Sequence, residues 1–151
     1  MSDDTVSRIE ELAWRNHARA SRPGVLKMLP EAPFAPVSFL EFAETRAHSR
    51  AFSSAIAQAP SETVRDLEEC WVRLAALWLD DDLVIVLPDL DDVGGLVMPF
   101  RYLSQHRDFL LRRGRGALYV ADPTLLRGFS YLEGETDREL RKWPSDNRVA
   151  P

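Results

Sequence analysis

Asp89, Asp91 and Asp92 follow a run of five aliphatic residues, Leu83-Val84-Ile85-Val86-Leu87, that Pro88 closes. A second acidic group, Asp80-Asp81-Asp82, precedes the same run. Carboxylates paired at a strand end can hold Mg²⁺, and a held metal can organise phosphate chemistry. Asp89 and Asp91 are therefore the candidate catalytic pair of a Mg²⁺-dependent phosphoryl-transfer or phosphatase-like reaction. In the competing account, which we prefer, the acids are solvated, keep a sheet edge soluble and set its turns. No metal and no cofactor is then needed.

Opposite charge follows downstream. Arg101, Arg107, Arg112, Arg113 and Arg115 are opposed within that stretch only by Asp108. Such a set binds a phosphate or an acidic protein surface, and it also describes the wet face of a helix. The candidate binding residues are thus Asp80, Asp81, Asp82, Asp89, Asp91 and Asp92 on one side and Arg107, Arg112, Arg113 and Arg115 on the other. His17, His48 and His106 form no ligand pattern, and no glycine-rich phosphate loop or serine elbow is present.

The stretch from Leu83 to Asp91 resembles the first motif of haloacid-dehalogenase-type phosphatases, an aliphatic strand followed by Asp-x-Asp-x-Thr/Val. The resemblance implies Asp89 as nucleophile and Asp91 as acid/base. It is also similar to the Asp-x-Asp corner of Toprim domains. Pro88 interrupts the strand, Gly94 stands in place of an aliphatic residue, and no acidic pair downstream has the look of a further metal-binding motif. A longer stretch, from about 61 to 121, is similar in element order to the later half of STAS-type regulatory domains. That family carries a phosphorylated serine or threonine after its aspartate, where this chain has Asp92-Val93.

The elements that position these residues can be read from periodicity. Residues 4–20 place Val6, Ile9, Leu12 and Ala13 on one helical face, which predicts an amphipathic helix with that face inward. Ser21-Arg22-Pro23-Gly24 reads as its end. Pro23, Pro30, Pro33 and Pro36 then predict an extended, apolar arm over 23–37 that packs on something. Ser38-Phe39-Leu40-Glu41 fits a capping box, opening a helix over 38–58. A third helix carries Val64, Leu67, Cys70, Trp71, Leu74, Leu77 and Trp78 at helical spacing. A fourth covers 99–112. Buried strands are expected at 83–87 and 117–121 and a third at 129–132, with a polar tail from 135. The expected fold class is α/β (or α+β). It has a small sheet of about three strands in the C-terminal half, covered by several helices, behind a helix-rich N-terminal half. Residues 1–144 are expected to be one globular domain, with 145–151 frayed.

Composition narrows the function classes. Hydrophobic content of 45% beside 28% charged residues marks a globular chain, not a disordered one. A net charge of -5 argues against nonspecific nucleic-acid binding, which needs a basic surface. One cysteine, Cys70, permits no internal disulfide and fits a reducing compartment. With no signal-like segment and no apolar run long enough to span a bilayer, a cytoplasmic protein is expected. The leading expectation is a protein-interaction or regulatory domain that binds and masks or modulates a partner protein, in the concrete case a basic enzyme, in the manner of an immunity or antitoxin-type inhibitor. The alternatives are the Mg²⁺ enzyme using Asp89 and Asp91, a STAS-like module, and a homo-oligomer subunit assembled through the 23–37 arm.

Overall fold

A computed structural model describes residues 3–74, 77–87 and 93–143, with the side chains of 3–7 left aside. Its elements in chain order are α1 (Asp3–Met28), β1 (Ser38–Phe39), α2 (Phe42–Gln58), β2 (Ser61–Thr63), α3 (Leu67–Arg73), β3 (Leu83–Leu87), β4 (Leu96–Pro99), α4 (Phe100–Gln105), α5 (Arg107–Arg113), β5 (Ala117–Ala121), β6 (Gly128–Glu133) and β7 (Arg138–Trp143). The strands join in one seven-stranded sheet of order β1-β4-β3-β5-β6-β7-β2. Every pairing is antiparallel.

This corrects the expected fold class. The sheet is neither small nor made of about three strands, and no parallel crossover builds it. The three apolar runs lie in it as β3, β5 and β6. Four further strands carried no comparable signal. β7 reads Arg-Glu-Leu-Arg-Lys-Trp and buries only Leu140 fully, so it looked like a polar tail. β4 ends in a proline, and β1 and β2 are two and three residues long.

Pairing register decides what each face buries. Val86 lies opposite Leu96 and Val120, and Val120 lies opposite Phe129. That face, with Met98, Leu118, Tyr131 and Leu140, packs under Leu67, Cys70 and Leu74, then Trp78, then Tyr102, Leu103, Leu110 and Leu111 of α4 and α5. The opposite face carries Ile85, Leu87 and Ala121, covered by Phe52 of α2. β3 is therefore buried on both sides from Val84 to Leu87, as its uninterrupted aliphatic run requires.

The helices also depart from expectation. Pro23 sits inside α1, which continues to Met28 because Val25 packs into the core on the sheet and the following Leu29 is also buried. Tertiary burial outweighs the hydrogen bond that Pro23 cannot donate to Arg19. Ser38 is drawn into pairing with Val97, so α2 starts at Phe42 and the Ser38–Glu41 box does not form. The third helix is only Leu67–Arg73, opened by Asp66, whose side chain accepts from the Glu69 N–H at 2.8 Å. The helix expected over 99–112 is divided at His106. Residues 144–151, including the expected frayed tail, lie outside the described residues.

Candidate functional site

The acidic strand end is largely consumed by local structure. The Asp82 carboxylate accepts from the Leu79 N–H at 2.8 Å, and its carbonyl accepts from the Phe100 N–H. The Asp80 carbonyl accepts from the Arg101 N–H, while Asp81 pairs with the Arg101 guanidinium at 3.2 Å. Both side chains of that pair are exposed, so it adds little stability. Asp89, Asp91 and Asp92 lie outside the described residues. Among the described residues no three His, Cys, Asp or Glu side chains group to hold a metal ion.

Among the described residues, the arginines at 107–115 form no ion pair with Asp80, Asp81 or Asp82. Arg107 lies 5.3 Å over the Trp71 ring, donates to the Ser104 carbonyl and pairs with Glu68 of α3. It is a tether between two helices. Arg113 is half-buried, with a buried Nε that has no hydrogen-bond partner. Arg112 and Arg115 are exposed at the end of the helix, where Arg115 takes a left-handed backbone (φ 56°). Of the proposed charge pairing, the structure brings together Asp81 and Arg101 alone among the described residues.

The buried ionisable groups are arranged for packing. Burial pushes the Cys70 thiol up to about 12, which disfavours the thiolate near neutral pH. Burial likewise raises Tyr102 to about 12, and its hydroxyl donates to the Pro30 carbonyl at 2.7 Å. His106 meets Glu31 at 3.0 Å, which fixes the same turn to α4.

The notable surface is on α1. Its buried line runs through Ala18, Val25 and Leu29, with Trp14 half-buried. Ile9 and Leu12, expected to face inward, are 52% and 53% exposed, and Ala13, Asn16, Ala20 and Pro23 continue an exposed stripe beside them. Toward the helix end Leu26 is 37% and Met28 65% exposed, and Phe34 of the following turn is 88% exposed. The arm expected at 23–37 is thus a helix end and a pinned turn, held by Tyr102 and His106, with Val25 and Leu29 buried while Leu26, Met28 and Phe34 point outward.

Between α1 and β1 lies a groove of about 470 Å³ lined by Trp14, Arg15, Ala18, Arg19, Arg22, Pro23, Leu26, Phe39 and Glu41. Arg22 builds its end wall. Its guanidinium donates to the Val93 and Leu40 carbonyls, pairs with Glu41 at 3.0 Å and lies 4.9 Å over Phe39. Sequence reasoning passed over Arg22 as part of a breaker cluster and gave Ile9 and Leu12 the wrong orientation. The signal that identifies the true inner face is the spacing of Trp14, Ala18, Val25 and Leu29, at i, i+4, i+11 and i+15.

Compared with known proteins, the chain matches no protein-family model, no curated protein and no solved structure. Among the described residues no helix is long and apolar enough to cross a membrane.

Proposed function

We propose that this protein is a noncatalytic partner-binding domain that docks another protein on the outward face of α1 and thereby masks or modulates it. The observation that carries the reading is the exposure of Ile9 and Leu12, at 52% and 53%, on a helix whose opposite side is packed on the fold. Ile9 and Leu12 lie one turn apart with Ala13 beside them, and exposed apolar side chains grouped in this way mark an interaction surface, whereas single ones need no explanation. Pro23, Leu26 and the turn bearing Phe34 extend the stripe. A cytoplasmic setting suits its single buried thiol. The acids at 80–82 serve their own turn in this reading, and the α1 face makes the contact.

The test is the double variant Ile9→Glu with Leu12→Glu, immobilised beside the unaltered protein for capture of partners from its own cell extract. Because both side chains face solvent, the variant keeps the thermal midpoint of the parent. The expected result is a partner retained by the parent and lost by the folded variant. An identical captured set from both proteins overturns the proposal, and so does collapse of the fold in the variant.

A further inference from the structure

We infer that the partner presents an acidic amphipathic segment, which lies along the flank of α1 next to its exposed stripe, with its apolar side chains in the groove against β1. The inference rests on the proposed docking role of α1 and adds the chemistry of what docks. Trp14, Ala18, Leu26 and Phe39 give the groove an apolar floor, while Arg15, Arg19 and Arg22 give it a cationic rim. Arg22 is committed to two carbonyls and Glu41. Arg15 holds Glu11 at 2.7 Å, but with its own side chain 52% exposed it remains open to a second carboxylate. Among the described residues Arg19 has no carboxylate partner. Arg8 lies one heptad before Arg15 and extends the rim along the helix.

The lining sets Arg15, Arg19 and Arg22 against Glu41, with Glu11 paired to Arg15 beside it, so the groove keeps a small positive excess on a chain of net charge -5. It selects against a basic partner and draws an acidic one. Arg15 and Arg19 are one turn apart, about 6 Å along the axis, which matches carboxylates one turn apart on an opposing helix. Guanidinium–carboxylate pairs of this kind are the strong, oriented ones. Pro23 adds a further feature, since it leaves the Arg19 carbonyl without its helical donor at the groove wall.

The test uses the whole protein and three fluorescein-labelled probes: an amphipathic peptide of leucine on one face and glutamate on the other, its lysine counterpart, and a polyglutamate of equal charge. The Glu/Leu peptide is expected to bind saturably, and at least about tenfold more tightly than either other probe. Its affinity is expected to fall at least about tenfold in Arg15→Glu with Arg19→Glu, and to weaken as salt rises. Arg19→Ala alone gives a smaller loss in the same direction and guards against misfolding of the double variant. No saturable binding of the Glu/Leu peptide up to about 1 mM overturns the inference. Equal binding of the lysine peptide or of polyglutamate also overturns it. Binding that survives both arginine substitutions but is lost in the Ile9→Glu, Leu12→Glu variant defeats the acidic segment and leaves the docking face standing. Binding unchanged in every variant defeats both.

Discussion

The indole of Trp143 occupies the space that a side chain at Gly128 would fill. The two residues are opposite partners in β6 and β7, and a Cβ added to Gly128 would come within 2.2 Å of the Trp143 ring and 2.8 Å of the Val120 carbonyl. The ring also meets Phe52 edge-on at 5.3 Å, linking the sheet to α2, and donates its N–H to the Leu125 carbonyl. Gly128→Ala is therefore expected to cost about 1–3 kcal/mol as the indole is forced from its seat. Urea melts compare the variant with the parent, and near-ultraviolet circular dichroism reports the displaced tryptophan.

Trp71 joins three packed elements. It stacks on Phe100 at 6.0 Å with an interplanar angle of 4°, meets Phe129 edge-on, and donates its indole N–H to the Ser104 hydroxyl at 3.1 Å. Trp71→Ala is expected to cost about 3 kcal/mol, at the low end for an aromatic because its ring is half-buried. Asp81→Ala, removing one exposed pair with Arg101, is expected to cost less than about 0.5 kcal/mol. Denaturant unfolding of the two variants side by side checks the contrast.

Arg22 ties α1 to the loops on either side of the sheet edge. Gly94, at φ +89°, brings its backbone so near the Leu40 carbonyl that a Cβ there would approach to 2.4 Å, and the same carbonyl accepts from Arg22. Arg22→Lys keeps the charge but loses the fork that reaches Leu40, Val93 and Glu41 together. A loss of about 2 kcal/mol is expected, the scale of hydrogen bonds to a charged donor. Amide hydrogen exchange should quicken at Leu40 and Gly95, which such a loss leaves less well clamped, and an unchanged pattern would reject this role.

Alkaline pH should weaken the fold. The Cys70 thiol is pushed from 9.0 to about 12 and Tyr102 from 10.0 to about 12, both by burial. Unfolded chains release these protons first, so the stabilisation is complete below pH 9 and is lost as pH climbs toward 12. Each group contributes a slope of about 1.4 kcal/mol per pH unit within its window. Urea midpoints from pH 7 to 10.5 should decline, and less steeply between 9 and 10 in Cys70→Ala. Native Cys70 should also resist iodoacetamide at pH 8 and react only on unfolding.

The aliphatic run at 83–87 announced a doubly buried strand because β-branched residues with no polar alternation have no solvated face to offer. The strand over Arg138–Trp143 announced nothing, since one buried leucine is enough to anchor a ribbon whose other side chains reach water. In α1 two apolar stripes compete, and local periodicity favoured the bulkier one, Ile9 and Leu12. The fold instead buries Ala18 and Val25, whose small size allows the helix to lie close. The surface proposed for docking was therefore written in the sequence as core, and only long-range packing shows which side faces out. The acids at 80–92 looked like chemistry because their type and spacing allow it, but Asp82 is spent on a turn that spacing cannot reveal.

The order of strands across the sheet bears on how the chain is made. β1 pairs only with β4 and β2 only with β7, so both outermost strands belong to the N-terminal half while their partners arise later. During synthesis Ser38–Phe39 must wait for Leu96–Pro99, and Ser61–Thr63 for Arg138–Trp143 at the far end of the described chain. The five inner strands all come from residues 83–143 and can assemble among themselves. An early strand is thus fastened late, β2 latest of all, and a nascent chain halted before β7 leaves β2 without its partner.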